Sequence, residues 1–273
     1  MKTVLITGCS SGFGEAAVRR FAAEGWSVIA TLRRPEAAPE FPAGVMVTRL
    51  DVEDPESISA AIAAGIERFG AIDAVVNNAG YGLHGFFEES TEAQMRRQFE
   101  VNVFGLMAVT RAILPHMRAR RSGCIVNVTS GGGVFGLPLI PLYAASKFAV
   151  EGFSEALMHE VEPFGIRVRL VEPGGVTSTR FGERAATEAQ GSRPIEDYAP
   201  LHERAAQVFR AIAQSRSQGT PDEVAEVILQ AATDPTGRLR YVATEGIRAW
   251  VTARRESSEE RYLAMMREAV SLT

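Results

Sequence analysis

Short, β-branched apolar runs alternate along this chain with stretches whose apolar residues return at helical spacing, and this alternation restricts the possible folds more than any other feature. The runs occupy residues 3–7, 27–31, 45–50, 72–77, 124–129, 166–171 and 240–244. Several are almost continuously hydrophobic, as strands covered on both faces are. Between them, residues 14–24 set Ala17, Phe21 and Ala22 at helical spacing. Residues 55–69 follow Asp54, a good N-cap, with Pro55 at the first helical position. Thr220-Pro221-Asp222-Glu223 opens a further helix with the residues of a capping box. Strand–helix–strand alternation predicts an α/β fold: a parallel sheet, right-handed crossovers and helices on both faces. No repeat or linker divides residues 1–273, so one domain is expected. The least patterned stretch, 175–219, reads as an irregular, lid-like insertion from about residue 176 to about 219.

Composition narrows the function classes. With 29 Lys and Arg against 33 Asp and Glu, the net charge is −4, without the basic footprint of a nucleic-acid binder or a polybasic membrane anchor. The first apolar run is too short for a signal peptide. No stretch nears the ~18 consecutive apolar residues of a membrane span. The two cysteines, Cys9 and Cys124, fit a reducing compartment, so a cytoplasmic protein is expected. No metal is called for.

The turn Thr7-Gly8-Cys9-Ser10-Ser11-Gly12-Phe13-Gly14 follows the first strand and opens the first helix. Glycines there allow a tight turn and bring backbone N–H groups against a pyrophosphate at a helix N-terminus. The plain alternative is a tight strand-to-helix turn alone. Its place after the first strand of an alternating pattern favours the nucleotide. In dinucleotide-binding folds, an acidic residue roughly 20 positions further on binds the adenosine ribose and repels a 2′-phosphate. Here the segment is Ala30-Thr31-Leu32-Arg33-Arg34, with no carboxylate before Glu36. Arg33 or Arg34 suits the phosphate of NADP, or is a solvated surface arginine. Asp51-Val52 is placed to meet the adenine edge. Asn77-Asn78-Ala79-Gly80 ends the fourth strand, where ligands gather, although these are also ordinary turn residues.

Tyr143 and Lys147 stand four residues apart, so both lie on one helical face. The chain has only two lysines, Lys2 and Lys147, against many arginines. An ammonium beside a phenol stabilises phenolate, and such a tyrosine can serve as general acid and base toward an alcohol or ketone. Ser130 ends the fifth strand, where its hydroxyl can meet a substrate oxygen or simply start a glycine turn. Asn102 lies in an apolar helix-like run, the usual setting of a satisfied core amide.

Together these pieces resemble the short-chain dehydrogenase/reductase family, in its single-domain branch. Thr7-Gly8-x-x-x-Gly12-x-Gly14, Asn77-Asn78-Ala79-Gly80, Ser130, Tyr143-x-x-x-Lys147 and Pro173-Gly174 follow in the family's order. The resemblance implies a Rossmann-type, doubly wound, three-layer α/β/α fold with a seven-stranded parallel sheet in the order 3-2-1-4-5-6-7. It implies that Tyr143 moves the proton, that Lys147 lowers its pKa and binds the nicotinamide ribose, and that Ser130 orients the substrate oxygen. Asn102 would hold a water in a proton relay behind Lys147. Gly8, Ser10, Ser11, Gly12, Phe13, Gly14, Arg33, Asp51, Val52, Asn78, Ala79, Gly80, Pro173, Gly174 and Val176 would line the cofactor. Segments such as 30–33, 135–138, 146–152, 172–176 and 221–227 are similar to the branch of 17β-hydroxysteroid dehydrogenase type 1 and its retinol-reducing relatives. That branch carries a C-terminal extension, here about residues 246–273.

The expected substrate is a hydrophobic ketone or secondary alcohol. It would be held between residues 137–142, residues 81–87 and the lid, although the apolar run 137–142 serves equally as packing. His84 and His202 are placed to reach a polar end of such a substrate or to lie on the surface. Family members form homodimers or homotetramers through helices near 104–120 and 148–162. Rival readings are a carrier-protein-linked β-ketoacyl reductase and a non-catalytic NADP-binding sensor; the C-terminal extension and the intact Ser130, Tyr143 and Lys147 argue against them.

Overall fold

A computed structural model describes residues 1–214 and 219–272. The expected lid therefore includes four residues, 215–218, that lie outside the described ones. In chain order the elements begin with β1 (Thr3–Thr7), α1 (Gly12–Ala23), β2 (Ser27–Leu32), β3 (Met46–Arg49), α2 (Pro55–Phe69) and β4 (Ala74–Asn77). Next come α3 (Glu92–Phe99), a π-helical turn (Glu100–Gly105), α4 (Leu106–Arg120), β5 (Gly123–Val128), α5 (Pro141–Val161) and β6 (Ile166–Glu172). The chain continues through α6 (Phe181–Glu188), α7 (Ala199–Gln214), α8 (Pro221–Thr233), β7 (Arg240–Val242), α9 (Arg248–Glu256) and α10 (Glu259–Val270).

The seven strands form one parallel sheet in the order β3-β2-β1-β4-β5-β6-β7, as the resemblance implied. Side chains alternate between its faces. Val4 and Ile6 of β1 pack with α1 and α8, whereas Leu5 packs with α2, α4 and α5. The same alternation separates Ala74 and Val76 from Val75 in β4. Both faces are thus buried, which is why the strands read as unbroken apolar runs. Strand order reverses between β1 and β4, so a crevice opens at their carboxyl ends, where open α/β sheets bind ligands.

Local chemistry starts and stops the helices as the sequence indicates. The Asp54 carboxylate accepts hydrogen bonds from Glu56 N and Ser57 N, Pro55 occupies the first turn, and Gly70 ends α2 with φ 81°. Thr220 and Glu223 form the capping box of α8. Strand ends move slightly: Ile72 lies outside β4 because its N–H donates to His116 Nε2 at 3.2 Å.

The stretch expected to be irregular contains α6 and α7. These helices bury Ala185 and Ala205 and expose most of their polar residues. Along α7, Leu201, Ala205, Val208, Phe209 and Ile212 do recur at helical spacing, a pattern that the polar composition of the stretch outweighed. Beyond β7, Ile247, Val251, Tyr262 and Met266 close an apolar cluster over Val134, Phe135 and Leu137, beside the end of β5. The C-terminal helices therefore pack onto the loop that carries Ser130.

Candidate active site

The glycine turn is sewn to the end of β4. Asn78 Nδ2 donates to Thr7 O at 2.9 Å and to Gly8 O at 3.2 Å. Thr7 Oγ1 accepts from Asn78 N and from Ala79 N, each at 3.0 Å. Gly8 and Gly12 hold φ of 74° and 61°, in the left-handed region that glycine enters without strain. At Gly14 a Cβ would lie 2.6 Å from Asn78 Nδ2 and closer still to Gly8 O. At Gly8 it would lie 2.9 Å from Ala79 Cα. Ser11 precedes α1 without capping it, so the first N–H groups of that helix have no side-chain acceptor. A narrow, side-chain-free cradle at an uncapped helix start fits the pyrophosphate of a dinucleotide. Ser10 is exposed at its rim, and Ser11 and Phe13 are half-buried.

Around this cradle the other predicted residues take definite places. Arg33 and Arg34 are exposed just after β2, and Glu36 lies beyond them in a short 3₁₀ turn. Val52 packs against Gly105 of the π-helical turn, where a Cβ would lie 2.7 Å from Val52 Cβ. Asp51 is half-buried, its carboxylate accepting from Glu53 N at 3.2 Å. Pro173 O accepts from Gly131 N at 2.8 Å, and Gly174 N donates to Thr244 Oγ1 at 2.8 Å. These bonds bring the end of β6 beside Ser130. Val176 packs on the apolar cluster under α1.

Tyr143 lies within the first turn of α5, and both Tyr143 and Lys147 are buried. Burial pushes the phenol up to about 12, against a hydrogen bond to Ser130 that pulls it down. Burial likewise pulls Lys147 down to about 8, opposed by the charge of Glu151. The lysine Nζ donates to Val128 O at 2.9 Å and lies 5.8 Å from the centre of the Tyr143 ring. Burial is the largest cause of the shift in both groups. Ser130 Oγ accepts from Gly132 N at 3.0 Å and so is held facing the phenol. Asn102 sits in the π-helical turn. Its Oδ1 accepts from Tyr81 N at 3.0 Å, and its Nδ2 donates to Tyr81 O at 2.9 Å and Ser146 Oγ at 3.1 Å. Asn102 thus ties the loop after Gly80 to the helix that carries Tyr143 and Lys147.

The segment after β6 roofs this group. Phe181 meets the Tyr143 ring edge-on at 5.5 Å and His84 at 6.4 Å, and its Cζ leaves 2.5 Å for a Cβ at Gly82. Thr179 lies over Gly12. Arg184 of α6 stacks on the Tyr81 ring at 5.0 Å; burial and then the charge of Arg33 hold it below its ordinary pKa. On α7, His202 Nε2 lies 2.9 Å from buried Glu89 Oε1, and Phe209 faces His84 at 5.8 Å. Burial keeps His84 below the usual imidazole pKa.

The sequence profile of the short chain dehydrogenase family matches residues 2–189. This chain belongs to the short-chain dehydrogenase/reductase family. It is 38% identical to 17-beta-hydroxysteroid dehydrogenase type 1 of Homo sapiens over 263 residues, covering 89% of this chain and 77% of that one. It is 41% identical to the 3-ketodihydrosphingosine reductase of Bacteroides thetaiotaomicron over 196 residues, 72% of this chain and 71% of the relative. Among solved structures, a short-chain dehydrogenase/reductase of Burkholderia phymatum in complex with NAD superposes with TM-score 0.78 at 27% identity, covering 93% of each chain.

As a short-chain dehydrogenase/reductase the protein is an oxidoreductase that works with a nicotinamide cofactor. Sequence reasoning missed Phe181, Arg184, Phe209 and Glu89. Glu89, Phe181 and Arg184 join the site through contacts remote in sequence, and Phe209 lies on α7, whose helical period the polar composition of the stretch obscured. Replacing Gly14 with alanine forces a Cβ into Asn78 and Gly8, and is expected to weaken NADPH binding by at least about 1.4 kcal/mol, or tenfold. Titration of NADPH fluorescence checks this; unchanged affinity would remove the cradle from the cofactor site.

Proposed function

We propose that the protein is an NADP(H)-dependent oxidoreductase that transfers hydride between the nicotinamide and a hydrophobic ketone or secondary alcohol, with Tyr143 as general acid and base. The observation that carries this reading is the convergence of buried Tyr143, buried Lys147 and the Ser130 hydroxyl beside a glycine-lined, uncapped helix start. When bound, the nicotinamide supplies or takes up the hydride; the protein provides position and protons.

A phenol held near 12 is protonated at neutral pH, the state needed to give a proton to a carbonyl oxygen during reduction. Ser130 orients that oxygen by hydrogen bonding. The Lys147 ammonium stabilises the phenolate left behind and holds the nicotinamide ribose. Asn102 fixes the walls of the relay through which a water returns the proton. Gly8, Ser10, Ser11, Gly12, Phe13 and Gly14 would carry the pyrophosphate, Asp51 and Val52 the adenine edge, and Asn78, Ala79 and Gly80 would line the cofactor at the end of β4. Pro173, Gly174 and Val176 border the nicotinamide.

Preference for NADP rests on Arg33. No carboxylate lies between the end of β2 and Glu36 to repel a 2′-phosphate. The charge of Arg33 also acts unfavourably on Arg184, and an anion bound between them would relieve that repulsion. The substrate class rests on the aromatic roof of Phe181 and Phe209, which faces Tyr143 and His84. Two relatives bear names of enzymes acting on a ketosphingoid and a hydroxysteroid, both apolar molecules. The described residues from 176 to 214 serve as the lid of this pocket, within one catalytic domain that includes the C-terminal extension.

Among the described residues no helix is long and apolar enough to cross a membrane. The paired burial of Cys9 and Cys124 as free thiols accords with a cytoplasmic, reducing setting. Exposed Phe104 and Phe148, at 54% and 42%, supply the apolar surface of a homo-oligomer.

Tyr143→Phe removes the proton donor while keeping the ring. It is expected to bind NADPH normally and to lose turnover by about 10²–10⁴-fold. Steady-state rates measured beside cofactor binding check this, and turnover like the wild type would remove the mechanism. Arg33→Asp replaces an attractive charge with a repulsive one and is expected to move the NADPH-over-NADH ratio of kcat/KM toward NADH by at least about tenfold. An unchanged ratio would remove Arg33 from the phosphate site.

A further inference from the structure

Charged side chains of alternating sign run from the C-terminal extension to the turn of α5 that carries Lys147. Arg255, at the end of α9, grips Glu172 with both terminal nitrogens, at 2.5 Å and 3.1 Å. Glu172 ends β6 and is wholly buried. Arg240 of β7 has its Nε 3.7 Å from Glu172 Oε1 and 2.9 Å from Glu151 Oε2. The other oxygen of Glu151 accepts from Thr129 Oγ1 at 2.7 Å. Glu151 is buried, one helical turn after Lys147. A Cβ on Gly133 would touch both Glu151 Cγ and Lys147 O at 3.2 Å, so the two residues share one wall.

This arrangement calls for a reason. Two buried carboxylates stand close enough that Glu172 raises the pKa of Glu151, after burial, which raises it more. Buried charges of one sign are costly unless paired. Arg240 and Arg255 supply the pairing, and Arg240 also bridges to Glu155 at the surface. Around Lys147, β5 contributes the Val128 carbonyl, the end of β4 contributes Gly80, the π-helical turn contributes Asn102, and α5 contributes Tyr143. Among these neighbours none carries a negative charge. Glu151 is the one carboxylate whose charge acts on Lys147 among the described residues.

We propose that Glu151 is a positioning residue that keeps Lys147 in its ammonium form, and that Thr129, Arg240, Glu172 and Arg255 hold the Glu151 carboxylate in place for that task. The proposal rests on the reading of Lys147 as the lysine of the reaction. It makes the C-terminal extension, through Arg255, part of the frame on which the charge of that lysine depends. Near neutral pH a buried lysine is easily lost to its neutral form, and a neutral amine stabilises neither a phenolate nor a hydroxyl acceptor well.

The chain's two lysines allow a direct test without a substrate. In the full-length protein labelled with ¹³C at lysine Cε, two side-chain signals are followed from about pH 6 to about pH 11, across the reference lysine value near ~10.4. Lys2→Arg assigns them. The Lys147 signal is expected to titrate at about 8 in the wild type. In Glu151→Gln, which keeps the acceptor for Thr129 but removes the charge, the midpoint is expected to fall by about one unit. In Glu151→Asp, which withdraws the charge by one methylene, it should fall between the two. A Lys147 midpoint that is unchanged or raised in these variants overturns the proposal, and Glu151→Asp decides alone should Glu151→Gln not fold. The titration reads the lysine rather than turnover, so its failure is distinct from any failure of Tyr143→Phe to stop the reaction.

Discussion

The hydrogen bonds from Asn78 to Thr7 O and Gly8 O join two strands at the point where the sheet changes direction, and the rest of the site is arranged around that join. They hold open a turn into which no side chain can grow, because Gly8 and Gly14 leave no room for a Cβ. The same end of β4 leads through Gly80 to Tyr81, whose backbone is clamped on both sides by Asn102. Asn102 in turn bonds Ser146, which donates to Tyr143 O at 2.7 Å. A continuous set of short polar contacts thus connects the cradle at β1 with the helix that presents the phenol and the amine. Precision in such a site comes from rigid elements and satisfied supporting bonds.

Burial then decides the electrostatics. Tyr143 is driven up and Lys147 down by desolvation, so each is pushed toward its neutral form. For the tyrosine this suits proton donation. For the lysine it works against the charge that the proposed chemistry uses, and the charge of Glu151 opposes it. The Glu151 carboxylate is itself paired with Arg240, which leads on to Glu172 and Arg255.

Much of this was legible in the sequence wherever the informative residues are close together in the chain. Gly8, Gly12 and Gly14 lie within one turn, and Tyr143 and Lys147 within one helical turn, so their spacing alone carries the geometry. The strands were readable because both faces of the sheet are covered. Asp54-Pro55 and Thr220-Pro221-Asp222-Glu223 announced their helices through capping chemistry that acts over three residues. The rest depends on distance. Glu151 meets residues of β6 and β7, and through Glu172 is linked to Arg255 of α9, all brought near only by the folded sheet. Phe181 and Arg184 come from a helix whose buried anchor is an alanine, so neither the helix nor its direction showed. The four-residue spacing brought Tyr143 and Lys147 together in the sequence, but the burial that shifts both groups shows only in the fold.

The central claim is that this site reduces or oxidises an apolar carbonyl or alcohol with NADP(H). Its most direct test follows the oxidation of NADPH at its absorbance maximum against a panel of hydrophobic ketones, including a steroid ketone, a long-chain 3-keto compound and retinal, with NADH run in parallel. The account predicts turnover of at least one ketone and a higher kcat/KM with NADPH than with NADH. Tight binding of NADPH with no oxidation by any ketone of the panel would contradict it.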